Sequence, residues 1–214
     1  MPENARAPFC RWRRLGKAGV RLDAGKILYI DPISVDPGAP KADIVLLTHG
    51  HADHFSPDDV TKVASPQTVV AGPAACVGLF RLNQLPFEAG ESKTILGVSV
   101  MATPAYCPDD PRHSKEAGGL GYLIEIDGAR IFYAGDTAAV PELRGLKAEA
   151  GFLPLAENLM SARAAAALAR DMGLRAAAST HAEGGSALEK DFLDLIERQS
   201  IAAWLPEPTF AAQA

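Results

Sequence analysis

"LLTHGHADHFSPDD", from Leu46 to Asp59, is the stretch from which the rest of the chain is read. Ile44, Val45, Leu46 and Leu47 run together as aliphatics, which predicts a strand covered on both faces. His49, His51, Asp53 and His54 follow at once. Imidazoles at the end of a buried strand must each be hydrogen-bonded or solvated, so their crowding there signals ligands and not packing. Helix-start chemistry closes the stretch: Ser56 as N-cap, Pro57 at the first helical position, and Asp58 and Asp59 in the positive first turn. The donors therefore sit on a loop between a strand and a helix. In an extended loop, residues two apart point to one side, so His49 and His51 can grip one cation together. Asp53 and His54 come where the chain turns. Four strong donors are one too many for a tetrahedral ion that must also hold water, which leaves room for a second ion beside the first.

Outward from this loop, the chain alternates strand and helix signals. "VRLDAGKILYID" reads as two strands turning at Asp23-Ala24-Gly25. After "TVVAG" and an Ala-rich helix come "TILGVSVMAT", "LGYLIEID" and "ARIFYAGD", central strands by their aliphatic content, the last two joined by an Asp127-Gly128 turn. Then follow the strand "GFLPL", the helix "ARAAAALARDMG" stopped by Gly173, the strand "RAAAST", and "SALEKDFLDLIERQ", opened by a Ser186/Glu189 capping box. Leu188, Phe192, Leu195 and Ile196 mark the inner face of that last helix. No repeat, long linker or composition break divides the chain, so residues 1–214 are expected to form one domain.

The chain has five histidines, and the two outside the loop and its helix junction, His113 and His181, also fall at a loop and a strand end. Asp136 ends "ARIFYAG" in the same manner, and none of the five looks like a buried core histidine. With 48% hydrophobic and 22% charged residues and a net charge of -5, the composition argues against a general polyanion binder. Arg11, Arg13, Arg14, Lys17 and Arg21 form a local basic cluster, read as a solvated face. No apolar run approaches the length of a bilayer span, and the first residues lack the apolar core of a secretory signal, so a soluble, unexported protein is expected. Cys10, Cys76 and Cys107 are odd in number and contain no CxxC, which fits a reducing cytoplasm.

"THGHADH" resembles the HxHxDH signature of the metallo-β-lactamase superfamily, and "FYAGDT" is similar to its later strand that delivers a bridging aspartate. Further segments, "YIDP", "TPAYCPDDPRH", "GYLIEIDGARIFYAGDT" and "STHAEG", resemble in order a branch of small hydrolases related to L-ascorbate-6-phosphate lactonase. The resemblance implies an α/β (α+β) fold, a four-layer αββα sandwich of two mixed β-sheets with outer helices. It implies two divalent ions, zinc first among Zn2+, Mn2+, Fe2+ and Ni2+. His49, His51 and His113 would hold one, Asp53, His54 and His181 the other, and Asp136 would bridge them. Asp53 and Asp136 are then the catalytic carboxylates, and Asp31, before Pro32, supports the metal loop.

Three departures from that branch fall where substrate contacts are expected: Gly16-Lys17, Tyr106-Cys107, and "AENLMS" at 156–161. Lys17, Tyr106 and Cys107 are thus candidate substrate contacts, each with a plainer reading as solvated or packed side chain. Asp109 and Asp110 in "PDDP" read as a turn. Two cations sharing a water lower its pKa and present hydroxide near neutrality, so the expected chemistry is hydrolysis of a small, anionic ester, lactone or phosphorylated metabolite. A phosphodiesterase or nuclease is the alternative, disfavoured by the acidic balance. A flavin-linked di-iron oxidoreductase is disfavoured by His51, where such enzymes place Glu. A non-catalytic, metal-stabilised binding protein would not need so full a ligand set. The sequence leaves the substrate and any homo-oligomer open.

Overall fold

Side-chain alternation along the central strands sets the layers. In the computed structural model, which describes residues 11–126 and 128–206, Ile44 and Leu46 face one apolar cluster while Val45 and Leu47 face another. Leu28 and Ile30 alternate with Tyr29 in the same way. A strand that is apolar on both faces has to be covered on both, which explains the unbroken aliphatic run before the histidines.

Six strands form the first sheet in sequence order: β1 (Arg11–Leu15), β2 (Gly19–Ala24), β3 (Lys26–Ile30), β4 (Ile44–Leu46), β5 (Val69–Gly72) and β6 (Asn83–Pro86). The second sheet holds β7 (Ser92–Ile95), β8 (Val98–Pro104), β9 (Leu120–Ile126), β10 (Ala129–Tyr133), β11 (Ala150–Pro154), β12 (Ala176–Thr180) and β13 (Ala202–Ala203), in spatial order 13 down to 7. Each sheet begins as an antiparallel meander and continues as parallel strands, β3 to β6 in one and β10 to β13 in the other. Between the sheets lies a core that includes Trp12, Leu22, Tyr122, Tyr133, Phe152 and Trp204. On the outer faces, α1 (Pro57–Val63) and α2 (Ala74–Val77) cover the first sheet, and α3 (Ala162–Met172) and α4 (Ala187–Glu197) cover the second. This is the four-layer αββα sandwich.

Several local expectations change. "TILGVSVMAT" is two strands, β7 and β8, reversing at Leu96-Gly97, where both residues take positive φ (50° and 88°). That is the backbone of a tight hairpin turn with leucine in the place usually given to asparagine. β7 is consequently an edge strand rather than a central one. The basic cluster is not simply a solvated face, because β1 is an edge strand whose Trp12 is buried in the core. Arg14 donates to the Ser179 carbonyl at 2.6 Å, and Arg21 makes a two-bond pair with Asp23 at 2.9 and 2.8 Å. Ser56, Ser161 and Ser186 cap α1, α3 and α4 through hydrogen bonds to Asp59, Ala164 and Glu189. Phe192 and Ile196 are buried on α4, with Leu188 and Leu195 packed beside them. Asp127 of the expected Asp127-Gly128 turn lies outside the described residues, as does Cys10; Ile126 pairs with Ala129 across that turn. Among the described residues no helix is long and apolar enough to cross a membrane.

Candidate metal centre

One rim of the sandwich collects the donors because β3, β4, β8, β10 and β12 all end there. β4 runs into Thr48–His54, β8 into the loop carrying His113, β10 into Asp136 and β12 into His181. Gly135 makes the delivery of Asp136 feasible: its φ is 64°, and a Cβ there would stand 2.5 Å from the Leu120 carbonyl oxygen. Only glycine fits so close a backbone approach at positive φ. His181 itself sits at φ 67°, held by its N–H donating to the Lys17 carbonyl at 2.9 Å, which ties the second sheet's rim to the first.

A buried carboxylate organises the histidine loop from below. Asp31, at φ 48° and with no exposed surface, accepts from Thr48 N at 2.8 Å and Thr48 Oγ1 at 2.6 Å, and lies 2.7 Å from His54 Nδ1. An ionised carboxylate only accepts, so His54 carries its proton on Nδ1 and turns Nε2 toward the centre. His54 is fully buried. It is not a core histidine in the apolar sense, since every neighbour that orients it is polar.

The seven expected ligands converge. Three overlapping groups have donor atoms within 4.8 Å of one another: His49, His51 and His113; His49, His54 and Asp136; and Asp53, His54 and His181. Asp136 Oδ1 lies 3.1 Å from both His54 Nε2 and His181 Nε2, and Oδ2 lies 3.2 Å from His113 Nε2 and 3.8 Å from His49 Nε2. His49 Nε2 and His51 Nδ1 are 3.1 Å apart. Burial alone would raise the Asp136 carboxyl, but His181 and His54 hold it well below the usual carboxylate range. Burial and neighbouring His54 push His49 down to about 4, so it is a neutral lone-pair donor at pH 7. Burial would also lower His54, yet Asp31 and Asp136 outweigh it and lift the imidazole to about 10, so that without a cation Nε2 carries a proton toward Asp136 that a bound ion would displace.

This donor set fits divalent cations on a direct observation. His113 Nε2 and Asp136 Oδ1 are buried atoms without a hydrogen-bond partner among the described residues, although each lies within about 3 Å of a basic or acidic counterpart. Both atoms face the space that the histidine groups share. Burying such atoms unpaired is costly, and a coordinated cation removes the cost.

Two cavities adjoin the cluster. One, of about 450 Å³, is lined by Lys17, Asp53, Arg112, Asn158 and His181; the other, of about 290 Å³, by His49, Ser114, Ala117 and Gly119, with His51, Arg112, His113 and Asp136 shared by both. Of the three substrate-contact candidates, Lys17 lines the larger cavity, while Cys107 and Tyr106 line neither. Cys107 is buried, and burial followed by the nearby Asp136 pushes its thiol up to about 11. Tyr106 turns its hydroxyl to Glu142 at 3.0 Å and lines a separate neighbouring cleft. Two residues that sequence reading did not assign to the site are Arg112, exposed at its mouth, and Asp110, behind His113. The signal for Asp110 was its position three residues before a histidine, which the turn reading absorbed.

Residues 15–169 match the beta-lactamase superfamily domain, and the chain belongs to that superfamily. A UPF0173 metal-dependent hydrolase of Methanosphaerula palustris is 29% identical over 86% of this chain and 89% of its own length. A crystal structure from Parabacteroides distasonis, provisionally described as a metal-dependent hydrolase, superposes with a TM-score of 0.78 at 26% identity, covering 91% of this chain and 92% of the other. Igni18, a metallo hydrolase from Ignicoccus hospitalis, shares the fold at a TM-score of 0.74 and 17% identity, over 93% of this chain and 95% of its own. The architecture is the metallo-β-lactamase fold.

Proposed function

We propose that this protein is a metal-dependent hydrolase whose seven clustered donors hold two divalent ions, zinc by preference, and that it cleaves a small anionic ester, lactone or phosphorylated metabolite in the cytoplasm. The observation that carries the reading is the convergence of five imidazoles and two carboxylates into overlapping ligand groups on one rim. Imidazole-rich sets suit zinc, while the carboxylates also accommodate manganese, iron or nickel. Bound there, two such ions would acidify a water and stabilise the charge that develops on a scissile carbonyl or phosphoryl group.

The chain's own residues supply the rest. Asp136 lies between the two histidine groups and places one carboxylate oxygen toward each. Asp53 is exposed on the larger cavity, where its carboxylate can orient a nucleophilic water as well as serve as a ligand. Lys17 and Arg112 line that same cavity and offer positive charge to an anionic group of the substrate. The small volume suits a metabolite better than a folded nucleic acid.

Metal analysis of reconstituted protein, followed by a screen of lactones, thioesters and phosphodiesters, tests the reading. About two ions per chain and fastest turnover of a small anionic ester or lactone are expected. One ion or none with the fold intact, or faster cleavage of RNA or DNA than of every small ester, would overturn it.

A further inference from the structure

The "PDDP" turn contains a junction that a turn alone does not require. Asp110 caps the single helical turn Pro111–His113, its Oδ1 accepting from Arg112 N at 3.0 Å. The same carboxylate also accepts from Arg112 Nε at 3.0 Å and Nη2 at 2.8 Å, and from Asn158 Nδ2 at 2.9 Å. Its Oδ2 lies 3.2 Å from His113 Nδ1. Five polar contacts thus meet on one side chain that is 9% exposed, while neighbouring Asp109 is exposed. Asn158 reaches it from the loop after β11, so two loops of the rim are tied through this one group.

Consider what this does to His113. Of its two ring nitrogens, Nδ1 faces a carboxylate, and Nε2 is buried, unpartnered and 3.2 Å from Asp136 Oδ2. Both nitrogens stand 3.2 Å from a carboxylate oxygen, but only Nδ1 meets its oxygen, that of Asp110, with hydrogen-bond geometry, which places the proton on Nδ1 and the lone pair on Nε2. The opposite tautomer would set a lone pair against Asp110 and a proton against the space shared with His49 and His51. Asp31 does the same for His54 from below, through Oδ2 at 2.7 Å from Nδ1.

We propose that Asp110 is a positioning residue of the metal centre: its carboxylate fixes His113 in the Nδ1–H tautomer and aims Nε2 at the ion held with His49 and His51. The second half of this statement rests on the two-ion reading above. The first half does not, since it concerns only a proton on an imidazole.

The test uses Asp110→Asn beside Asp109→Asn, which removes the same charge one residue away from the junction. Asparagine caps a helical turn as well as aspartate, so the turn itself is retained. Competition with a chromophoric chelator should show one of the two ions bound about 10–100-fold more weakly in Asp110→Asn, the other unchanged, and both unchanged in Asp109→Asn. Equal metal affinities in the two variants would overturn the proposal. Long-range ¹⁵N–¹H imidazole spectra of wild-type, metal-free protein supply a second readout that needs no variant to fold. His113 is expected as the Nδ1–H tautomer, and an Nε2–H tautomer would overturn the assignment. If wild-type protein binds no ions, the two-ion reading fails while the tautomer measurement still decides the role of Asp110.

Discussion

The two rims of the sandwich are built from the same strands and differ in almost everything else. At one rim the reversals are tight: Gly25 joins β2 to β3, Leu96-Gly97 joins β7 to β8, and the turn at Gly128 joins β9 to β10, all three lining a single shallow pocket. At the other rim, apart from the short β1–β2 turn at residues 16–18, the strands run into longer loops that carry every histidine of the chain. Both rims contain left-handed glycines, Gly16 and Gly135 among them at the metal rim, but the non-glycine occupants differ. The hairpin rim uses Gly25, Gly97 and Gly128 and one exposed leucine, Leu96. The metal rim places Asp31 and His181 there, one bonded to His54 and the other 3.1 Å from Asp136. A non-glycine residue at positive φ costs energy that its surroundings must offset. Asp31 is tied by Thr48 and His54, and His181 through its N–H by Lys17.

If that contrast holds, substitutions at the metal rim should act on ions and activity, and those at the hairpin rim on stability alone. The largest effect is expected for Asp136→Asn. It removes a charge that lies between both histidine groups and, on the two-ion proposal, would leave two cations repelling each other across a short gap. Metal analysis should show at least one ion lost, with turnover falling by more than about 100-fold. Retention of both ions, with Cys107→Ser as the variant that loses metal, would break the ligand assignment.

Asp31→Ala comes next and tests the buried support. Thr48 N, Thr48 Oγ1 and His54 Nδ1 would lose their acceptor in a place without water access. Removing one partner of such a buried charged cluster costs about 3–5 kcal/mol, to be read from urea unfolding of metal-free protein. A loss under about 1 kcal/mol would mean that the metal rim does not depend on this strut.

The smallest effect is expected at the opposite rim. Leu96→Asn installs the Asn-Gly pair that tight hairpins favour and removes an exposed leucine from a left-handed conformation. A gain of about 0.5–1 kcal/mol is expected from thermal unfolding, with metal content unchanged. Lost stability would show that Leu96 earns its place through packing, and altered metal content would show that the rims are coupled.

How far the sequence carried the reading follows from how local each signal was. The aliphatic run Ile44–Leu47, the donors His49, His51, Asp53 and His54, and the Ser56 cap all lie within one strand–loop–helix unit. Period and capping chemistry act over a few residues, so that unit could be read directly. The Leu96-Gly97 reversal was missed because leucine in a left-handed turn carries no turn signal. β1 was missed because Arg11, Arg13 and Arg14 surround Trp12, and charge masked an edge strand whose one buried ring reaches Phe152. Asp110 looked like turn chemistry, which it is, but its bond to Asn158 spans 48 residues and leaves no local trace. The sequence by itself determined the donor types, their strand-end placement and the covered strand that precedes them. Only the tertiary structure decided that His54 is sealed under Asp31, that Arg112 and not Tyr106 or Cys107 lines the cavities beside the ligands, and that Asp136 reaches both histidine groups. Those outcomes depend on which strand ends come to lie on the same rim, and that is fixed by sheet order and packing between layers, not by any neighbour in the chain.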